Sequence, residues 1–123
     1  MQAFEQRAVI TGILLLLAAV SGVVTSSMGR PLNVPVSTAH KLLAIGAVVF
    51  AVLLVVDVQK AVGLGTPLVA LIILTGLLLL GVFATGAVLS FEKLVSVPLR
   101  AVHTATPFLA MAGVVVLAYM RVR

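Results

Sequence analysis

His40 and His103 are the only two histidines in the chain, and each lies five residues after the proline of a Val-Pro pair, Pro35 in NVPVSTAHK and Pro98 in SVPLRAVHT. Cysteine is absent, which removes disulfides, thiolate metal sites and thioether attachment of a cofactor. A neutral imidazole offers one lone-pair nitrogen to a metal. Two imidazoles brought to one depth from opposite sides can fill both axial positions of a single metal, and a bis-histidine haem matches that geometry.

The elements that must hold them belong in a bilayer. The chain has 123 residues, of which 63% are hydrophobic and 9% charged, too few polar side chains to cover a water-soluble globule of this size. Its charges cluster between apolar runs: Glu5 and Arg7; Arg30 and Lys41; Asp57 and Lys60; Glu92, Lys93 and Arg100; Arg121 and Arg123. Four spans fall between the clusters, at about Ala8 to Ser27, Val36 to Val56, Pro67 to Ser90 and Pro98 to Met120. At roughly 1.5 Å per residue each can cross a hydrocarbon core of about 30 Å. They lack the period-two polar alternation of a membrane barrel, so helices satisfy the backbone. The expected fold is an all-α integral membrane protein, a four-transmembrane-helix up-down-up-down bundle.

The spans repeat. A shift of 64 lays Thr75 on Thr11, Gly76 on Gly12, Thr85 on Ser21, Gly86 on Gly22 and Ser90 on Ser26. After a one-residue gap, a shift of 63 lays Val97 and Pro98 on Val34 and Pro35, and His103 on His40. Matches among Leu and Val carry little weight, but the Thr-Gly, Ser/Thr-Gly and Val-Pro-x4-His matches use residues that are rare on a lipid-facing helix. The chain reads as a single membrane domain built from two parallel helical-hairpin repeats, one at about 8-58 and the other at about 72-121. Helices two and four then take opposite corners of the bundle, with both histidines roughly 7 Å along their helices.

Other residues support a cofactor at that depth. Gly22 and Gly86, on helices one and three, sit within a turn of the histidine level and are expected to let a ring edge or a backbone approach. Arg30, Lys41, Lys93 and Arg100 lie on the histidine side, where guanidinium and ammonium groups suit the two haem propionates. Arg100 is three residues before His103 and is expected to share its face. Ser37, Thr38, Thr104 and Thr106 are candidates to accept the second imidazole N–H or to cap helix starts. Pro107, four residues after His103, is expected to kink the fourth helix mildly.

Each residue type also has a plainer use. A histidine near a helix end often serves as an interfacial contact, small residues often serve helix packing, and the basic residues suit headgroup anchoring. The basic residues are scattered singly, which argues against nucleic acid. Acidic residues stand at the interfaces and none lies mid-span, which removes the usual signature of a proton- or cation-coupled transporter. The first span, which has a counterpart in the second repeat, is expected to be a retained helix and not a cleaved signal. Positive charge is tied between the two sides, and the two C-terminal arginines tip the expectation toward cytoplasmic termini in an inner or plasma membrane.

His40, His103, Gly22 and Gly86 resemble the pattern of the transmembrane b-type cytochromes: the quinol-oxidising cytochrome b of respiratory chains and the haem-carrying membrane anchors of dehydrogenases. In those families a four-helix bundle holds haem between histidines on two helices, often with glycine facing the ring from the others. The resemblance implies one haem b with its iron bound by His40 and His103, in an electron carrier or the redox anchor of a larger complex, without catalytic activity of its own. The quinol-oxidising cytochrome b carries two histidine pairs and two haems across the membrane, and this chain carries one pair at one side. Electron transfer across the membrane would therefore need a quinone, a redox partner protein or a homo- or hetero-oligomer. Two other readings stand beside this one: a subunit in which each histidine ligates one chlorophyll-type pigment, and a cofactor-free structural or assembly subunit.

Overall fold

The computed structural model describes residues 2–91 and 96–122. Among the described residues the fold consists of four α-helices, α1 (Gln2–Ser27), α2 (Val34–Val62), α3 (Thr66–Leu89) and α4 (Val97–Val122), and no strand. Each helix is long and apolar enough to cross a membrane. Leu16, Leu80, Phe108 and Val115 are more than half exposed, and an apolar surface of this extent is solvated by lipid where water would drive it to associate.

The helices run past the spans that hydropathy marks. The first was expected to start at Ala8 and starts at Gln2; the second was expected over Val36 to Val56 and covers Val34–Val62. Hydropathy finds the hydrocarbon-crossing part, whereas the i to i−4 ladder continues until a cap interrupts it. The caps are local. Asn33 Oδ1 accepts from the Val36 N–H at 3.1 Å, and Ser96 Oγ accepts from the Leu99 N–H at 3.3 Å, so the repeat shift of 63 also relates the starts of α2 and α4. Pro35 and Pro98 stand one residue inside, where their missing N–H is among the first-turn donors that have no helical partner. Gly63 ends α2 at φ +74, its N–H donating to the Gln59 carbonyl at 2.9 Å. That left-handed closing position is open to a residue without Cβ. α4 continues unbroken through Pro107.

Two compact units divide the chain, Met1–Asp57 and Val58–Arg123. In the first, α1 and α2 are antiparallel: Gly22 meets His40 near the turn, Leu14 meets Gly46 midway with Cδ1 at 3.7 Å from a Cβ built there, and Arg7 meets Asp57 at the far end. In the second, Gly86 meets His103 near the turn, and Thr75 packs on Gly113 further along, its Cγ2 3.2 Å from a Cβ built there. Burial follows the duplication. Phe4 and Thr11 in α1 and their equivalents Leu68 and Thr75 in α3 are buried, as are Ala47, Ala51 and Leu54 in α2 and their equivalents Ala110, Val114 and Leu117 in α4. His40 and His103 precede Ala47 and Ala110 by seven residues, so each lies on the buried stripe of its own helix.

Candidate functional site

Each imidazole is seated inside its own hairpin. A helix with glycine at the contact lets a facing side chain lie against its backbone, and both hairpins use that allowance for the histidine. A Cβ at Gly22 would stand 3.0 Å from His40 Cε1 and 3.4 Å from its Nδ1. A Cβ at Gly86 would stand 2.9 Å from His103 Cε1 and 3.7 Å from its Nδ1. Gly22 and Gly86 are expected from the sequence to let a ring edge or a backbone approach; within each hairpin they admit the imidazole.

Hydrogen bonds fix the ring that the glycine admits. His40 Nδ1 is 2.9 Å from the Ala18 carbonyl and 3.1 Å from Ser21 Oγ. A carbonyl can only accept, so Nδ1 carries a proton, and in the neutral ring Nε2 has the lone pair. In the second hairpin His103 Nδ1 is 2.8 Å from Thr85 Oγ1, whose own proton goes to the Gly81 carbonyl at 2.7 Å. With that proton on the backbone the hydroxyl can accept from Nδ1–H, the same tautomer as at His40. Both rings are half-buried. Ser21 and Thr85 are aligned by the repeat and each immediately precedes the glycine that the ring touches.

Of the four hydroxyls that the sequence offers, Thr104 and Thr106 bond their own helix. Thr104 donates to the Arg100 carbonyl at 2.7 Å and Thr106 to the Val102 carbonyl at 2.6 Å. Ser37 is buried and Thr38 is exposed. All four lie on the histidine's own helix, where neighbouring side chains radiate apart, whereas the imidazole reaches across to the facing helix. The signal that could have found Ser21 and Thr85 is their alignment one residue before the paired glycines.

Arg30 is exposed in the turn between α1 and α2, Lys41 is exposed beside His40 on α2, and Arg100 is exposed in the first turn of α4, its N–H donating to the Ser96 carbonyl at 3.0 Å. Lys93, expected with them, lies outside the described residues, as do Glu92 and Arg123. Arg7 and Asp57 stand in different charge clusters of the sequence. The structure joins them, with Arg7 Nη1 at 2.8 Å from both Asp57 oxygens. Among the described residues no three His, Asp or Glu side chains gather as a metal cluster. A neutral imidazole nitrogen is a donor of the kind that a tetrapyrrole metal accepts. Comparison with family models, curated proteins and solved structures finds no match to this chain.

Proposed function

We propose that this chain is a small membrane cytochrome b in which His40 and His103 supply the two axial nitrogens of one haem b. The observation that supports the reading is the seating of the imidazoles: in both hairpins Nδ1 is bonded to the neighbouring helix and the ring lies on a glycine. Metal-bound histidines are held in this manner, the second nitrogen donating to a fixed acceptor. A histidine that only contacts headgroups needs no glycine beneath it.

Bound haem would supply reversible one-electron exchange and no further chemistry. The chain would orient the ligands through Ser21, Ala18 and Thr85, exclude water with its apolar helices, and set Arg30, Lys41 and Arg100 against the propionates. The role is that of an electron carrier or the redox anchor of a larger assembly, exchanging electrons with a quinone or a partner protein. Its setting is an inner or plasma membrane, with the termini in the cytoplasm.

The test is an absorption spectrum of the purified chain, oxidised and then reduced with dithionite. A sharp b-type alpha band on reduction, lost in both His40→Ala and His103→Ala, is the expected result; a spectrum unchanged by both substitutions rejects it. The seat in each hairpin is complete by itself, which also favours a second reading in which each histidine ligates the magnesium of its own chlorophyll-type pigment. Metal analysis separates the two: one iron per chain for the first, two magnesium ions for the second.

A further inference from the structure

We infer that Thr85 is a positioning residue whose back-bonded hydroxyl locks the His103 imidazole in the Nδ1–H form, a task that the Ala18 carbonyl beside Ser21 performs for His40. A hydroxyl is amphoteric: it can donate to an imidazole lone pair or accept from its N–H. Left to rotate, it would tolerate both tautomers, including the one whose Nε2 bears a proton and cannot ligate. Here the hydroxyl proton is already committed to the backbone one turn earlier, from Thr85 to the Gly81 carbonyl at 2.7 Å and from Ser21 to the Ala18 carbonyl at 3.0 Å. What remains for the ring is a lone pair. The bond from the hydroxyl to its own helix thus turns a two-way partner into a pure acceptor.

The arrangement also explains why the hydroxyl and the glycine are sequence neighbours. The glycine lets the ring lie against the facing helix, and the preceding residue, a hundred degrees around that helix, places its oxygen at the edge of the ring where Nδ1 lies, at 2.8 Å for His103 and 3.1 Å for His40. Ser/Thr-Gly is therefore a two-residue imidazole seat, written twice in this chain. Its relevance to haem rests on the function proposed above; the tautomer lock rests on the hydrogen bonds alone.

Thr85→Val keeps the shape and removes the acceptor, and Thr85→Ser restores the acceptor. The full-length protein in detergent, labelled with 15N at histidine and free of haem, is expected to give the Nδ1–H pattern at both rings, with His103 becoming a tautomer mixture in Thr85→Val and returning to a single form in Thr85→Ser. On adding haem, Thr85→Val is expected to bind about 10–100-fold more weakly and to show a higher midpoint potential, because an imidazole without a firm Nδ1 acceptor is a poorer electron donor; Thr85→Ser should match the parent in both. A single unchanged tautomer and an unchanged potential in Thr85→Val, in a protein that loses its haem in His103→Ala, would overturn the lock and leave the cytochrome reading standing. A parent protein that takes up no haem but loses the Nδ1–H pattern in Thr85→Val would sustain the lock and end the cytochrome reading.

Discussion

Gly86→Ala puts a methyl group 2.9 Å from His103 Cε1, a distance that real Cβ atoms do not sustain, while the hydrogen bond to Thr85 opposes the ring's retreat. The expected outcome is displacement of the imidazole and at least a tenfold loss in haem affinity, read by titrating haem into the purified variant. Gly22→Ala is expected to act in the same direction and more weakly, since its Cβ would lie 3.0 Å away. Ser21→Ala is expected to leave haem affinity within a few-fold of the parent, because the Ala18 carbonyl still accepts the His40 proton at 2.9 Å; the same titration checks it. The histidines and glycines were legible in the sequence because both types are scarce on lipid-facing helices and recur at one repeat offset. The hydroxyls were harder to read, since a serine or threonine in a membrane helix has a default use, bonding its own helix one turn back. Ser21 and Thr85 have that use and a second one.

At the scale of helix pairs, packing and charge set the hairpins. Thr75 is buried against Gly113, with Cγ2 and Cβ at 3.2 and 3.3 Å from a built Cβ, and its hydroxyl has no hydrogen-bond partner among the described residues. Gly113→Ala is expected to push α3 and α4 apart and destabilise the protein by about 1–3 kcal/mol, measured by unfolding in mixed detergent. Adding Thr75→Ala should recover much of that loss, a non-additive result that marks direct contact. In the first hairpin, Asp57→Asn removes the charge that Arg7 meets at 2.8 Å. A partly exposed pair of this kind contributes at most about 1 kcal/mol, and exchanging the two residues should restore the lost stability in the same assay. Helix number and spacing could be read from hydropathy, and the ends could not, because the polar segment from Gln2 to Arg7 and the turn after Val56 are helical by backbone bonding, with no apolar run to mark them. The pairing of Arg7 with Asp57 was hidden for a related reason: fifty residues separate them in sequence, and the second repeat offers no echo, with Leu71 and Met120 at the aligned positions.

For the chain as a whole, the duplication carries the argument. The same offsets that align the sequence align the buried stripes, the helix caps and the histidine seats, so each unit reproduces one local solution. Absence of cysteine makes introduced thiols clean reporters of sidedness. Gln6→Cys and Ser27→Cys, at opposite ends of α1, are expected to react with a membrane-impermeant maleimide from opposite faces of sealed vesicles, and labelling of both from one face would show that α1 does not span.

The way the imidazoles are seated bears on how a cofactor would be acquired. Both rings are fixed in orientation and tautomer by contacts that form when each hairpin folds, so the rotamer entropy of the ligands, about 0.5–1.5 kcal/mol for an immobilised side chain, is lost during folding and not during capture. A porphyrin dissolved in the bilayer would meet preorganised nitrogens, and its uptake would be governed by diffusion and fit instead of by side-chain rearrangement.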